Sequence, residues 1–344
     1  MNELVRAEIA EQPEALAATI DTLMGQVPEL RHLFRGRTQV LLLGRGTSDN
    51  AAIYGRYLVE IETGARASLG APSVATLYGV RLDLRDTIAV LVSQSGGTAE
   101  LVDAAAWARA MGAATVAVTN TAGSMLATVC DTALVTQAGP ERAIPATKTY
   151  TTALAAFAVL AVALAPRPPT WETSLARVPE EAQRLVECDP RAAADHLWPA
   201  TSLVVTGRSF TLSTALELAL KIQETSGRPC FGLSHADLQH GPAALLGPDS
   251  GLLVAAPPDG PTLPGLVAAA ERARRLGSRV VSMGGDDGLR EVADVALPGP
   301  QLPEALAPIV LAIPGQLLAV ALAARSGLDA DAPHGLTKIT QTVQ

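Results

Sequence analysis

A chain of 344 residues is long enough for two domains of ordinary size, and its 48% hydrophobic content supports substantial cores. The formal charge of −8, from 26 basic and 34 acidic residues with no basic cluster, excludes a nucleic-acid binder that works through bulk positive charge. Cys130, Cys188 and Cys230 form an odd set without C-x-x-C spacing, and Met1-Asn2-Glu3-Leu4-Val5-Arg6 is no signal peptide, so the expected compartment is the cytoplasm.

In chain order, residues 1–30 read as a peripheral helical segment. A first α/β unit follows over 31–165. Its apolar strand ending at Leu43 leads into Gly44-Arg45-Gly46-Thr47-Ser48 and a helix. A second strand, Thr87 to Val92, leads into Ser93-Gln94-Ser95-Gly96-Gly97-Thr98 and the alanine-rich stretch Ala99 to Ala110. Three hydroxyls, an amide and two glycines at a helix start make a cradle for a phosphate monoester. The loop holds no lysine, so it is not the G-x-x-x-x-G-K-[ST] nucleotide loop; the plain alternative is a capped turn. Gly44-x-Gly46 also lacks the third glycine of a dinucleotide fingerprint. The apolar run Ala153 to Ala165 is too short to cross a bilayer and reads as a buried helix.

Pro166-Arg167-Pro168-Pro169 opens a charged helical connector over 166–198, and a second α/β unit spans 199–325. The two units repeat one plan at a fixed spacing. Gly44 and Gly207 lie 163 residues apart, as do Ile88 and Gly251, and Asp131 and Asp294. Thr115-Val116-Ala117-Val118 and Arg279-Val280-Val281-Ser282 each follow a glycine at a helix end. Alternating strands and helices imply two tandem doubly wound parallel sheets, flavodoxin-like, with ligands at the carboxyl ends of the strands. Where the first unit has Ser93-Gln94-Ser95, the second has Ala256-Pro257-Pro258, so only the first is expected to hold phosphate.

The second unit carries acid–base residues instead. Glu217, Lys221 and Glu224 fall at i, i+4 and i+7 of one helix and share a face. They are either a surface pair worth a few tenths of a kcal/mol or a proton-shuttling set. His235, Asp237 and His240 match no metal-ligand spacing, so no metal is expected; His240 before Gly241-Pro242 reads as a positioned imidazole or a structural one. The run from Ala305 to Ala324, broken by Pro308, Pro314 and Gly315, reads as a second buried helix. Residues 326–344 keep apolar residues and Lys338, as a segment lying over a cleft or a solvated end.

Together these motifs resemble the sugar isomerase (SIS) family, most closely the isomerase half of glucosamine-6-phosphate synthase and the stand-alone isomerising glucosamine-6-phosphate deaminases. Glu8-Ile9-Ala10-Glu11-Gln12-Pro13, Ala146-Thr147-Lys148-Thr149, Ala219-Leu220-Lys221-Ile222-Gln223-Glu224, His240-Gly241-Pro242 and Leu336-Thr337-Lys338 join the two glycine- and serine-rich loops in that likeness. The resemblance implies that Gly46, Thr47, Ser48, Ser93, Gln94, Ser95, Thr98, Ile144 and Ala146 line a sugar-phosphate site. It implies that Glu224 moves the proton between C1 and C2 with Lys221 beside it. His240 would open the ring from a neighbouring subunit of a homodimer, and Lys338 would reach the reacting carbons. No cofactor, nucleic acid or membrane is implied. Ala146 departs from the synthase-like Val-Ala-Ser-Thr-Lys pattern, which has a hydroxyl there, and Pro145 stiffens the loop. Met1 starts close to the isomerase portion with no glutaminase part before it, so the expected reaction is metal-independent release of ammonia from glucosamine 6-phosphate. A deglycase or simple aldose–ketose isomerase of another 6-phospho-sugar, and a non-catalytic sensor, are the alternatives.

Overall fold

The computed structural model describes residues 2–338. After α1 (Glu3–Ala10), α2 (Gln12–Met24) and α3 (Val27–Leu33), strands and helices alternate: β1 (Gln39–Leu43), α4 (Thr47–Thr63), β2 (Arg66–Leu69), α5 (Pro72–Thr76), β3 (Thr87–Val92), α6 (Ala99–Ala110), β4 (Ala114–Thr119), α7 (Met125–Val129), β5 (Thr132–Val135) and α8 (Lys148–Leu164). A 3-10 turn at Glu172–Arg177, α9 (Val178–Val186) and α10 (Arg191–Leu197) form the connector. The plan then repeats as β6 (Ser202–Gly207), α11 (Phe210–Ser226), β7 (Cys230–Ser234), α12 (His235–Gln239), β8 (Ser250–Ala256), α13 (Leu263–Arg275), β9 (Arg279–Gly284), α14 (Asp287–Val292), β10 (Val295–Leu297) and α15 (Ala307–Arg325).

The chain forms two compact units. One comprises Glu14–Glu141 and Lys148–Ala176; the other gathers α1, Arg142–Thr147 and Arg177–Lys338. The N-terminal segment is thus divided, with α2 and α3 in the first unit and α1 in the second. Residue 1 and residues 339–344, the ends of the segments expected at either terminus, lie outside the described residues.

Each unit holds one five-stranded parallel sheet, ordered β2-β1-β3-β4-β5 in the first and β10-β9-β8-β6-β7 in the second. Read from β7, the second order is the first repeated. All six residues of β3 and all seven of β8 are buried, as central parallel strands covered on both faces require. The helices repeat too: α4 ends at Gly64 (φ 69°) and α11 at Gly227 (φ 63°), left-handed C-terminal glycines 163 residues apart.

In the first unit, Leu101, Ala104, Ala105 and Ala108 of α6 pack on Leu43, Ala89, Leu91 and Ala117. In the second, α11 and α15 close one face of the sheet through Leu218, Ile222, Leu311, Leu318 and Leu322, and α13 closes the other through Leu266, Ala270 and Ala273. Helix α15 is long and apolar enough to cross a membrane by length and composition, but 94% of its apolar window is buried inside the fold. It runs through Pro314 and Gly315; Pro308 sits in its first turn, where a missing N–H costs nothing.

Candidate active site

In the first unit the chain reverses direction across the sheet between β1 and β3, and the loops after these two strands flank the crevice at that switch point. The β1 loop is shaped by glycine. A Cβ on Gly44 would sit 2.7 Å from the Asp49 backbone nitrogen, and Gly46 has φ 55° and ψ −127°. Thr47 and Ser48 therefore open α4 at the crevice, with the Ser48 N–H donating to Arg45 O at 3.1 Å.

The β3 loop is wound around its own hydroxyls. Ser93 Oγ accepts from the Gly96 N–H at 3.2 Å and lies 3.3 Å from Thr98 Oγ1; Ser95 Oγ accepts from the Gly97 N–H at 3.2 Å. Gln94 is pinned through its carbonyl, which accepts from the Asn120 N–H at 3.0 Å and Thr119 Oγ1 at 3.3 Å. At Gly96 (φ 59°) a Cβ would fall 2.1 Å from Ser124 Oγ, so only glycine fits the turn. Thr98 is the residue before α6, and its side chain makes no cap hydrogen bond to the helix. The hydroxyls of Ser93, Ser95 and Thr98 thus stand with the start of a twelve-residue helix, the geometry that favours an anion.

The equivalent place in the second unit is built differently. Pro257 and Pro258 follow β8, and a Cβ on Gly260 would fall 2.3 Å from Glu304 Oε2. Burial pushes the Glu304 carboxyl up. The two prolines bring no N–H donors, and the Thr262 hydroxyl at the start of α13 donates to Glu304 Oε1 at 3.1 Å.

What the second unit offers lies on α11. Lys221 is 2% and Glu217 1% exposed, so the set is buried and not a surface pair. Lys221 Nζ is 3.5 Å from Glu217 Oε1 and also donates to Glu224 Oε2. The Glu224 side chain is 21% exposed. It forms part of the wall of a cavity of about 660 Å³, with Leu220, Gln223 and Thr225 of the same helix and Leu328, Pro333, His334 and Leu336 of the C-terminal segment. A clamped ammonium therefore presents one of its two carboxylates to a cavity.

Lys338, at the end of that segment, donates from Nζ to Ala143 O at 2.7 Å. Ala143 belongs to the loop of half-buried Ile144 and Ala146. That loop is held from three sides. The Glu8 carboxylate accepts from the Arg142 and Ala143 N–H groups, the Ile144 N–H donates to Asp331 O at 3.0 Å, and Gln316 Nε2 donates to Thr147 O at 3.2 Å. Asp331 in turn accepts from the Leu4 and Val5 N–H groups at the start of α1. Sequence reasoning included Glu8 in a motif but gave it no task; no local pattern marks Asp331.

His240 is exposed just after α12, with Gly241 (φ 119°) turning the chain behind it. It is not part of the Glu224 cavity wall. His235 pairs with the Gln239 amide at 2.8 Å, and burial holds its imidazole below the usual histidine range, with Arg208 adding to the effect. Burial pushes the thiols of Cys130 and Cys230 up to about 12 and of Cys188 to about 11, so none is a nucleophile near neutral pH.

Two tandem doubly wound units with a hydroxyl cradle in one and a buried Glu–Lys–Glu set in the other define the class as α/β proteins of the phosphosugar-isomerase architecture. The SIS domain model matches residues 33–163 and again 196–326, and the chain belongs to the SIS domain family. It is 34% identical over 346 residues to the isomerizing glutamine–fructose-6-phosphate aminotransferase of Thermococcus kodakarensis, covering 96% of this chain and 56% of that protein. The Aquifex aeolicus aminotransferase is 32% identical over 345 residues, covering 98% and 57%. The chain thus spans a little over half the length of these curated relatives. Among solved structures, a candidate phosphosugar isomerase from Silicibacter pomeroyi superposes with a TM-score of 0.86 at 28% identity, covering 94% of this chain and 98% of that one. The glucosamine-6-phosphate deaminase of Thermotoga maritima shares the fold, with a TM-score of 0.74 at 23% identity over 94% and 100%.

Proposed function

We propose that this chain is a phosphosugar isomerase that deaminates glucosamine 6-phosphate to fructose 6-phosphate and ammonia. The observation that carries the proposal is the burial of Lys221 between Glu217 and Glu224 with Glu224 at a cavity wall. A protein that only sensed sugar phosphate would need the cradle but no buried proton-transfer set, which is costly to keep.

Ser48, Ser93, Gln94, Ser95 and Thr98, with the backbone of Gly46 and Thr47, hold the phosphate. His240, supplied by the second subunit of a homodimer, assists ring opening to the C1 aldehyde. Glu224 takes the C2 proton, the electron pair passes toward O1, and Lys221 and Lys338 stabilise the developing oxyanion. Returning the proton to C1, with one N–H proton passing to O1, leaves a C2 imine and a C1 hydroxyl; water adds to the imine, and ammonia departs as the ketone forms. One water is consumed for each ammonia released.

Ala146, with no hydroxyl to offer the sugar, favours a second reading in which the amine is another 6-phospho-sugar amine. In either case the proton passes through Glu224. Glu224→Gln is expected to retain sugar-phosphate binding and lose exchange of the C2 proton with heavy water, because an amide is no base. Deuterium uptake at the wild-type rate would remove Glu224 from the proton path.

A further inference from the structure

The loop after β1 is joined to the start of α6 by an ion pair that the proposed mechanism does not use. Arg45, between the glycines of the β1 loop, donates from Nε to Glu100 Oε2 at 3.0 Å and from Nη2 to Glu100 Oε1 at 2.7 Å. Glu100 belongs to the first turn of α6, the helix whose N-terminus stands at the cradle, and its side chain is 7% exposed; that of Arg45 is 49% exposed. Asp49, in the first turn of α4, is a second carboxyl close to the same guanidinium; burial pushes it up and Arg45 pulls it back down.

A carboxylate in the first turn favours its helix by opposing the positive end of the dipole. The same charge works against a phosphate dianion brought to that end. Like charges held close in a poorly solvated crevice repel strongly, and a buried carboxylate cannot turn away into water. Arg45 meets Glu100 with the fork geometry that suits a carboxylate, and it fixes the β1 loop against the first turn of α6.

Resting on the cradle reading above, we propose that Arg45 is a positioning residue for phosphate: by neutralising the buried Glu100 it makes the N-terminus of α6 able to accept a dianion. The cradle itself holds no cation, so the guanidinium across the crevice sets its charge balance. If the role is neutralisation, removing the carboxylate charge compensates for the loss of Arg45. If Arg45 only contacts phosphate directly, it does not.

The test is calorimetric binding of glucosamine 6-phosphate, with inorganic phosphate as competitor, to wild type, Arg45→Ala, the double variant Arg45→Ala/Glu100→Gln, and Ser95→Ala. Arg45→Ala is expected to weaken binding by tenfold or more, and the double variant to recover to within about threefold of wild type. In turnover, the Arg45→Ala loss is expected in KM with kcat little changed. Should Arg45→Ala fail to fold, Arg45→Lys, which keeps the charge but not the fork, is expected to bind between wild type and background. A double variant as weak as Arg45→Ala, or an Arg45 variant that binds as wild type does, overturns the inference. No binding by wild type, or undiminished binding by Ser95→Ala, would instead strike at the cradle.

Discussion

Ser209 occupies a backbone conformation, φ 54° and ψ −123°, that its repeat counterpart Gly46 adopts at φ 55° and ψ −127°. A side chain is disfavoured there, and strain of this kind is worth of order 1–3 kcal/mol. It persists because Gly207 brings the following helix so close that a Cβ would meet Thr211 O at 2.3 Å, and the chain must reverse in two residues. Ser209→Gly is expected to stabilise the protein by about 1 kcal/mol, seen as a higher denaturant midpoint with an unchanged slope. An unchanged or lower midpoint would mean that the strain is relieved locally. The same scale explains the acid–base set. Glu217 and Lys221 at i, i+4 read alike on an exposed helix and on a buried one; their burial comes from packing outside their own helix, so periodicity identified the shared face and could not assign its surroundings.

At the scale of elements, α1 and the segment 328–338 act together as a brace for the loop of Ile144 and Ala146. The Glu8 carboxylate accepts from two backbone N–H groups of that loop, and Asp331 ties the C-terminal segment to the first turn of α1. Glu8→Gln removes the charge from these bonds and is expected to cost about 1.5–3 kcal/mol of stability. Turnover should fall while sugar-phosphate affinity stays near wild type, because the cradle residues belong to the other unit. Equal losses in both would place Glu8 under the whole fold and not under this loop. The strands, the helix ends and the repeat were legible because each leaves a local mark: β-branched runs, a closing glycine, and the constant spacing of 163 residues. The Glu8 brace, the Arg45–Glu100 pair and the Lys338–Ala143 bond join residues 134, 55 and 195 apart in the chain. No periodicity reports such partners. An arginine between two glycines and an acid in the first turn of α6 were visible, but nothing in the local pattern paired them.

At the scale of the whole molecule, one doubly wound plan has been used twice and the copies have diverged in the loops and helices around their sheets. The first keeps serines and glycines after β3 and offers donors to an anion. The second has prolines and Glu304 at the same place and concentrates its chemistry on α11, where the first copy's α4 carries no Glu–Lys–Glu set. On the proposed function, this division of labour pairs a phosphate cradle without a lysine with a proton-transfer set without a phosphate loop. Its direct test is to incubate the purified wild-type protein with glucosamine 6-phosphate and other 6-phospho-sugar amines, without added metal or nucleotide, measuring ammonia and ketose phosphate separately. The account predicts ammonia and fructose 6-phosphate in equal amounts from glucosamine 6-phosphate. Folded protein that binds glucosamine 6-phosphate yet yields neither product, or yields ketose phosphate without ammonia, would contradict it.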